Sequence, residues 1–499
     1  MFDHPGVVPT LNGEAFIEKP PLYYWATAGS FRLGGGPSVA AARAVSALAA
    51  VLTLLVAFVW VARAVAVETG AFATVMLGTF AAFITSAHWV RIDGLLLLFC
   101  TIALWAAWER IGRSGGASFL AIFYAVLVLA LWTKGLIGPV LIAAGLMTYA
   151  AVSRNRKVLA PLRPFAGIAV MLAAVASLAA AIAATGGVEA LRTWFFVNHV
   201  ERFVHPVATG HQRPFAYYVW TLPTAIAPWL VPFVALFYAR APLWKRDRPD
   251  AAILRFALSM VAGPLVVLSL SSSKREVYLL PLLPPLALLM ASAIRDRIDA
   301  SERSFSPSIW ILTGDWVQAA ILGLTGIAPA VAYVAFTKHV TPASVVLGLS
   351  GLVSASALVL AVAHKNARRA FWVGAASLGL AIAGAFALLV PQADAIKDLS
   401  PFVVSIDGML PRGEPVRALG ADETLLGIVP FVTGRRVIPI EAAQLAEAQF
   451  VLVQSVEKEP VPAALEAEYE RVAMREFGSS RQMALWRRRT QATVTSLAR

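Results

Sequence analysis

Apolar runs dominate this chain, and most of them are too long to be one buried face of a soluble helix. A hydrocarbon core about 30 Å thick takes roughly 20 mainly apolar residues to cross as a helix. Twelve stretches fit that description between polar or Gly/Pro punctuation: residues 39–64, 70–88, 92–111, 118–133, 135–152, 165–185, 215–238, 253–270, 277–294, 316–337, 343–363 and 370–390. Residues 20–36, PPLYYWATAGSFRLGGG, are apolar but short and carry Arg32. Their aromatic content predicts a helix lying on the membrane surface rather than a thirteenth span. Past Pro391 the pattern becomes charged and mixed. It predicts a strand at VRALGA, a helix at DETLLGIVPFVTG, strands at RRVIPIE and AQFVLVQ, a helix at AALEAEYERV and a closing strand at RQMALWRRR. The expected architecture is an all-α polytopic membrane protein with a small C-terminal α/β domain. Residues 1–38 form an outer-face loop and interfacial helix, 39–390 a transmembrane domain with an outer loop at 186–214, and 391–499 the α/β domain.

Composition agrees. The 499 residues are 59% hydrophobic and 14% charged, with a mean hydropathy of +0.71, whereas soluble domains are about 25% charged. Forty-two Lys and Arg against 29 Asp and Glu leave a net +13, and the position of those charges decides their meaning. The loops holding Arg63, Arg110/Arg113, Arg154–Arg163, Arg240–Arg248, Arg295–Arg303 and Lys365–Arg369 carry roughly twice as many Lys and Arg as the alternate loops, which makes them cytoplasmic. The charge excess is thus a topology signal, and nucleic acid is not an expected partner. The same parity puts both the tail after residue 390 and everything before residue 39 outside. No hydrophobic helix precedes residue 39 to carry it there, so a membrane helix is expected upstream of Met1. The single cysteine, Cys100 in LLLLFCTIALW, excludes a disulfide framework and a thiolate metal cluster.

Ionisable residues are costly near hydrocarbon, and a set of them collects on the outer face. Glu18 and Lys19 stand in EKPPLYYW, Arg91 and Asp93 in WVRIDGLLLL, and Lys134 in LWTKGLIGP. His199, Glu201, Arg202, His205, His211 and Arg213 follow in the outer loop, then Lys274 and Arg275 in SSSKREVYLL. Each has a plain alternative. Asp93 opens a helix, where a carboxylate meets the positive end of the dipole. Lys134 has a stem long enough to snorkel. Tyr23, Tyr24, Trp25, Tyr217, Tyr218 and Tyr278 fit an interfacial belt as well as a sugar-stacking surface, and the histidine spacing matches no standard ligand motif. In the tail, Asp422 reads as a helix cap. Taken together, outward cations beside Glu18 and Asp93 describe a site for a phosphate-bearing molecule at the bilayer edge. Cations stabilise a phosphate leaving group, and a carboxylate accepts a proton from an attacking hydroxyl. That chemistry is glycosyl transfer from a polyprenyl-phosphate sugar.

VPTLNGEAFIEKPPLYYW, RIDGLLLLF, LWTKGLIGPVL, VNHVERF with HQRPFAYY, and SSSKREVYLLPLLPPLALL occur in an order that resembles bacterial membrane glycosyltransferases of the dolichyl-phosphate-mannose protein mannosyltransferase superfamily, of the GT-C fold. Within it, the chain is similar to the lipid A aminoarabinose transferases over residues 7–295 and more loosely to the end. The resemblance implies inverting transfer from an undecaprenyl-phosphate-linked sugar to a cell-envelope lipid, glycan or protein at the periplasmic face of the inner membrane. It implies Glu18 and His199 as ligands of a divalent metal, zinc, Lys19, Lys134, Arg202 and Tyr278 as the lining of the lipid-phosphate pocket, and Asp93 as the family's second acid at the start of a membrane helix. The family's favoured catalytic Asp stands in an acidic motif upstream, and within this chain Glu18 and Asp93 are the catalytic candidates by charge and position. Lys274 and Arg275 join that pocket by charge and position. The family's first outer loop begins with an acidic motif after a first membrane helix; the sequence here begins just past where both would stand, so the reading frame is expected to extend upstream. The competing class is a transporter or flippase of a lipid-linked saccharide. It would place its charges near the membrane midplane in two related halves, and neither feature is present in the sequence.

Overall fold

The computed structural model describes residues 6–201, 213–238, 249–302, 309–456, 462–477 and 481–489. It divides into two compact units: the residues up to Pro9 with Ile17–Ala385, and Thr10–Phe16 with Phe386 onward.

The first unit is helical: α1 (Leu22–Leu33), α2 (Val39–Ala64), α3 (Val67–Thr79), α4 (Ala81–His88), α5 (Ile92–Gly112), α6 (Ala117–Lys134), α7 (Ile137–Val152), α8 (Pro164–Arg192), α9 (Tyr217–Ile226), α10 (Leu230–Tyr238), α11 (Ala251–Leu270), α12 (Leu283–Glu302), α13 (Ile309–Thr337), α14 (Pro342–Ala363) and α15 (Ala367–Leu388). A π-helical segment, Thr193–Glu201, follows α8, and a 3-10 turn, Glu276–Leu282, precedes α12. The short α1 stands where a surface helix was expected.

All twelve apolar stretches contain helix, but not every one is a single long helix. Among the described residues nine helices are long and apolar enough to cross a membrane, or up to ten if one bent pair counts as a span. Residues 70–88 divide into α3 and α4, bent by 65°; residues 135–152 form the 16-residue α7; residues 215–238 divide into α9 and α10 around Pro228. Proline lacks an N–H and its ring clashes with the preceding turn, so it ends α9 there. Backbone groups freed by a break inside a bilayer must find partners within the protein, and the two breaks supply them to each other. Ala81 N donates to Ala227 O at 3.0 Å, and Trp229 Nε1 donates to Thr79 Oγ1 at 2.8 Å. Gln318 of α13 donates through Nε2 to Pro228 O at 3.1 Å and accepts from Val231 N at 3.3 Å.

Elsewhere small residues bring helices together. A Cβ added at Gly263 of α11 would lie 2.6 Å from the carbonyl oxygen of Ala144 on α7. At the C-terminal end of α5 the Glu109 carboxylate is buried. It accepts from Arg63 Nε at 2.7 Å and Trp105 Nε1 at 3.1 Å, with Arg113 Nε at 3.4 Å. A charge in such a place persists only when paired in this way.

The second unit begins with α16 (Val390–Lys397) and α17 (Ser400–Asp407) and is built on a five-stranded mixed sheet. Counting from the hairpin β1 (Thr10–Leu11) and β2 (Glu14–Ala15), the strands are β3 (Val416–Leu419), β4 (Val437–Ile440), β5 (Phe450–Val456), β6 (Tyr469–Phe477) and β7 (Arg481–Arg488), in the order β4-β3-β5-β7-β6. β4, β3 and β5 are parallel; β7 and β6 are antiparallel additions. The helix between β3 and β4, α18 (Glu423–Thr433), is capped by Asp422, whose carboxylate accepts from Thr424 N and Leu425 N, and it ends at Gly434 in the left-handed region.

Two expectations change here. AALEAEYERV is not one helix: α19 covers only Ala463–Glu468, and Tyr469 opens β6. The Tyr469 ring is fully buried and its hydroxyl donates to Ala448 O at 2.6 Å, while the following residues pair with β7. Residues 10–16, read from sequence as part of the segment 1–38, pack with this second unit. Asn12 and Gly13, both at positive φ, make the two-residue turn of the hairpin, a conformation that Asn-Gly favours.

Candidate active site

Five segments meet where α5 begins and α6 ends. Asp93 is the second residue of α5 and Lys134 the last of α6, each at the helix end whose partial charge suits it. The turn through Gly135, φ 76°, and the antiparallel packing of α5 on α6 bring these ends together. Lys134 Nζ and Asp93 Oδ1 form an ion pair in which both side chains are buried. The same ammonium lies 4.7 Å from the centre of the Tyr278 ring, a cation–π contact from the turn before α12.

Beside this pair, Arg91 stacks on Trp89 at 4.6 Å and reaches Glu276 at 3.9 Å. Ser46, buried on α2, places its hydroxyl 3.3 Å from Arg91 O and 3.3 Å from the hydroxyl of Tyr23 on α1. That chain of contacts ties the surface helix to the start of α5. Ahead of α1, Lys19 Nζ donates to Glu18 O at 2.8 Å and stands 3.8 Å from the Glu18 carboxylate. Trp25 Nε1 holds Gly6 O at 2.8 Å and its ring packs on Trp132 at 5.7 Å.

Lys274, in the turn after α11, is 4% exposed. Its ammonium donates to Ser271 O and, at 3.3 Å, to Arg213 O, with no carboxylate at ion-pair distance among the described residues. Burial holds its pKa below the ordinary lysine range. Arg275 is exposed, and its carbonyl accepts from the Tyr218 hydroxyl at 3.3 Å.

Of the residues singled out by sequence, the structure joins Asp93, Lys134 and Tyr278 directly and pairs Glu18 with Lys19. Arg202 and the His199 side chain lie outside the described residues. Among the described residues no group of three His, Cys, Asp or Glu side chains is placed to hold a metal ion. Glu18 and His199 would supply one oxygen and one nitrogen donor, types zinc accepts, yet two donors fall short of the three or four protein ligands of zinc sites. Ser46 and Glu276 were not anticipated. The only sign of Ser46 was a hydroxyl in the apolar run AVSALAA, and serines in such helices commonly bond their own backbone.

Residues 18–180 match the dolichyl-phosphate-mannose-protein mannosyltransferase family. An undecaprenyl phosphate-alpha-4-amino-4-deoxy-L-arabinose arabinosyl transferase of Serratia proteamaculans is 28% identical over 403 residues, covering 77% of this chain and 69% of the relative. A second enzyme of that name, from Pseudomonas fluorescens, is 30% identical over 357 residues, covering 69% of this chain and 57% of its own length; one from Pseudomonas savastanoi is 29% identical and covered over 54%. The chain thus spans between about half and seven tenths of these relatives. The crystal structure of ArnT from Cupriavidus metallidurans bound to undecaprenyl phosphate superposes with a TM-score of 0.71 at 18% identity, over 97% of this chain and 91% of that one. Its apo form superposes with a TM-score of 0.69. The fold, the partial family match and the relatives point the same way: the chain is a multi-pass membrane protein with the fold of the ArnT crystal structures, similar over residues 18–180 to the dolichyl-phosphate-mannose-protein mannosyltransferases and over most of its length to the aminoarabinose transferases.

Proposed function

We propose that the chain transfers a sugar, with inversion at its anomeric carbon, from an undecaprenyl-phosphate-linked donor to a cell-envelope acceptor at the periplasmic face of the bacterial inner membrane. Lipid A is the acceptor class that the resemblance to lipid A aminoarabinose transferases favours; another glycolipid, a glycan or a protein are the others. The observation that carries this reading is the Lys134 ammonium held between Asp93 and Tyr278 at one end of the bundle.

In such a transfer the bond between the anomeric carbon and the phosphate oxygen breaks, and negative charge grows on the departing lipid phosphate. A pre-aimed cation stabilises that charge without reorganisation. Lys134 serves this role, with Lys19, Arg202, Lys274 and Arg275 completing the phosphate pocket and Tyr278 forming one wall. Asp93, committed to Lys134, aims the ammonium. Glu18 is the carboxylate that takes the proton from the attacking acceptor hydroxyl as the new bond forms on the opposite face of the sugar. Glu18 and His199 alone do not make a zinc site, and no step above depends on a metal. The C-terminal unit is then periplasmic.

The test is reconstitution in proteoliposomes with labelled undecaprenyl-phosphate sugar. Label in lipid A or another acceptor supports the transferase. Intact donor crossing the bilayer with no acceptor labelled would mean a flippase.

A further inference from the structure

A second polar feature lies in the helical unit, far from Asp93. A cleft of about 70 Å³ has apolar walls that include Trp229, Leu358 and Phe371, the rings of Trp229 and Phe371 stacking at 5.3 Å. Its charged lining comes from Arg297 on α12, Asp315 on α13 and Lys365 in the turn between α14 and α15, with Gln318 and Asn366 as neutral polar neighbours. Arg297 Nη2 is 2.6 Å from Asp315 Oδ2, but the Arg297 Nε–H is buried with no acceptor. The Lys365 ammonium makes no ion pair or hydrogen bond among the described residues. The lining therefore keeps one net positive charge and a buried donor without a partner, an arrangement that is costly unless something accepts from it.

The position of the cleft follows from connected ion pairs. Arg368, three residues past Lys365, binds Glu302 at 3.1 Å and also Glu68. Glu68 opens α3, which follows α2, whose Arg63 holds Glu109. The cleft belongs to the Glu109 end of the helices, about 24 Å along α5 from Asp93 at 1.5 Å per residue.

We propose that this cleft binds an anionic phospholipid of the adjacent leaflet, its phosphate accepting from Arg297 Nε and Lys365 while the first acyl methylenes lie on Trp229, Leu358 and Phe371. The charge complements a phosphodiester and the walls complement a chain. The volume is well below the roughly 300–1,000 Å³ of pockets that enclose whole small molecules, whereas a lipid inserts only its headgroup edge and leaves its tails in the bilayer. Basic pockets between helices at the cytoplasmic side suit such headgroups. The proposal is independent of the transferase reading.

Native mass spectrometry of the purified full chain, titrated with phosphatidylglycerol or phosphatidylcholine, tests it. The wild type is expected to retain one phosphatidylglycerol at least tenfold more tightly than phosphatidylcholine. Lys365→Glu is expected to lose that preference, and Arg297→Gln/Asp315→Asn, which removes the pair without stranding either charge, is expected to lose it too. Equal retention of the two lipids, or undiminished preference in a folded Lys365→Glu, overturns the proposal. Displacement of phosphatidylglycerol by millimolar inorganic phosphate would also overturn it, by showing a site for the free ion.

Discussion

Lys134 and Asp93 form an ion pair between the end of α6 and the start of α5, 41 residues apart in sequence. Both helix dipoles favour the arrangement, and the Tyr278 ring covers the ammonium from a third segment. The pair is too buried to be a solvated surface contact.

Breaking a buried pair strands the remaining charge, at a cost of about 3–5 kcal/mol. Asp93→Asn and Lys134→Met are each expected to lower the melting temperature and to reduce donor turnover roughly 100-fold or more. The double variant Asp93→Asn/Lys134→Met removes both charges and should recover most of the thermal stability without recovering turnover. Melting curves beside a labelled-donor assay check this; a double variant that regains activity would remove Lys134 from the phosphate site.

Lys274 is a buried cation whose partners in the described residues are two carbonyls, and burial lowers its pKa. Because the folded value lies below the unfolded one, the unfolded chain binds more protons between them, and stability rises with pH across that window. Binding of an anionic phosphate has the opposite sign, since it requires the charged form. Undecaprenyl phosphate affinity is expected to weaken as pH rises through the lowered pKa, earlier than in Lys274→Arg. Lys274→Met should be at least as stable as wild type and bind the lipid phosphate less tightly. Affinity unchanged in Lys274→Met at neutral pH would exclude Lys274 from the pocket.

Much of this was legible in the chain because a bilayer imposes one dominant constraint. Every apolar stretch contained helix, Asp93 and Lys134 could be marked from charge and position, and Tyr278, otherwise a belt aromatic, only through the family resemblance. The breaks were not legible. Nothing local to Phe80 or Pro228 announces that Ala81 N will meet Ala227 O, because those backbone groups are satisfied by partners more than a hundred residues away. Ser46 escaped because its partners, Tyr23 and Arg91, lie on other segments, 23 and 45 residues away. Tyr469 escaped because AALEAEYERV has helical composition, and only burial of its ring and pairing with β7 make the second half a strand.

Asp422 caps α18 and also meets Arg481 at 2.9 Å. Burial by itself would raise its pKa, but hydrogen bonds from Gln454 and from the amides of Leu425 and Thr424 outweigh it and hold the value below the usual carboxylate range. The depressed pKa makes its contribution fully present above the unfolded value and lost as pH falls through the folded one. Hydrogen exchange on the intact protein should show protection across residues 423–433 falling at acid pH. Asp422→Ala should lower that protection by about 1 kcal/mol at neutral pH and abolish its acid dependence.

The hairpin at Asn12 makes the last case. β4 is an edge strand of the sheet, and unpaired edges invite association. The Asn12 side chain covers part of this one, donating through Nδ2 to Val437 O at 2.6 Å and accepting from Val437 N at 2.8 Å. Its backbone meanwhile takes the positive φ that the hairpin turn requires, so one residue shapes the turn and docks it. Asn12→Ala removes both bonds, worth about 1 kcal/mol each, and should speed exchange of the Val437 amide roughly tenfold or more while β5 and β7 stay protected. Gly13→Ala should act alike by a different route: its φ of +89° strains an alanine, and the new Cβ would lie 3.0 Å from Arg436 Nη2. Exchange at Val437 unchanged in both variants would mean that the hairpin does not hold the edge strand in solution.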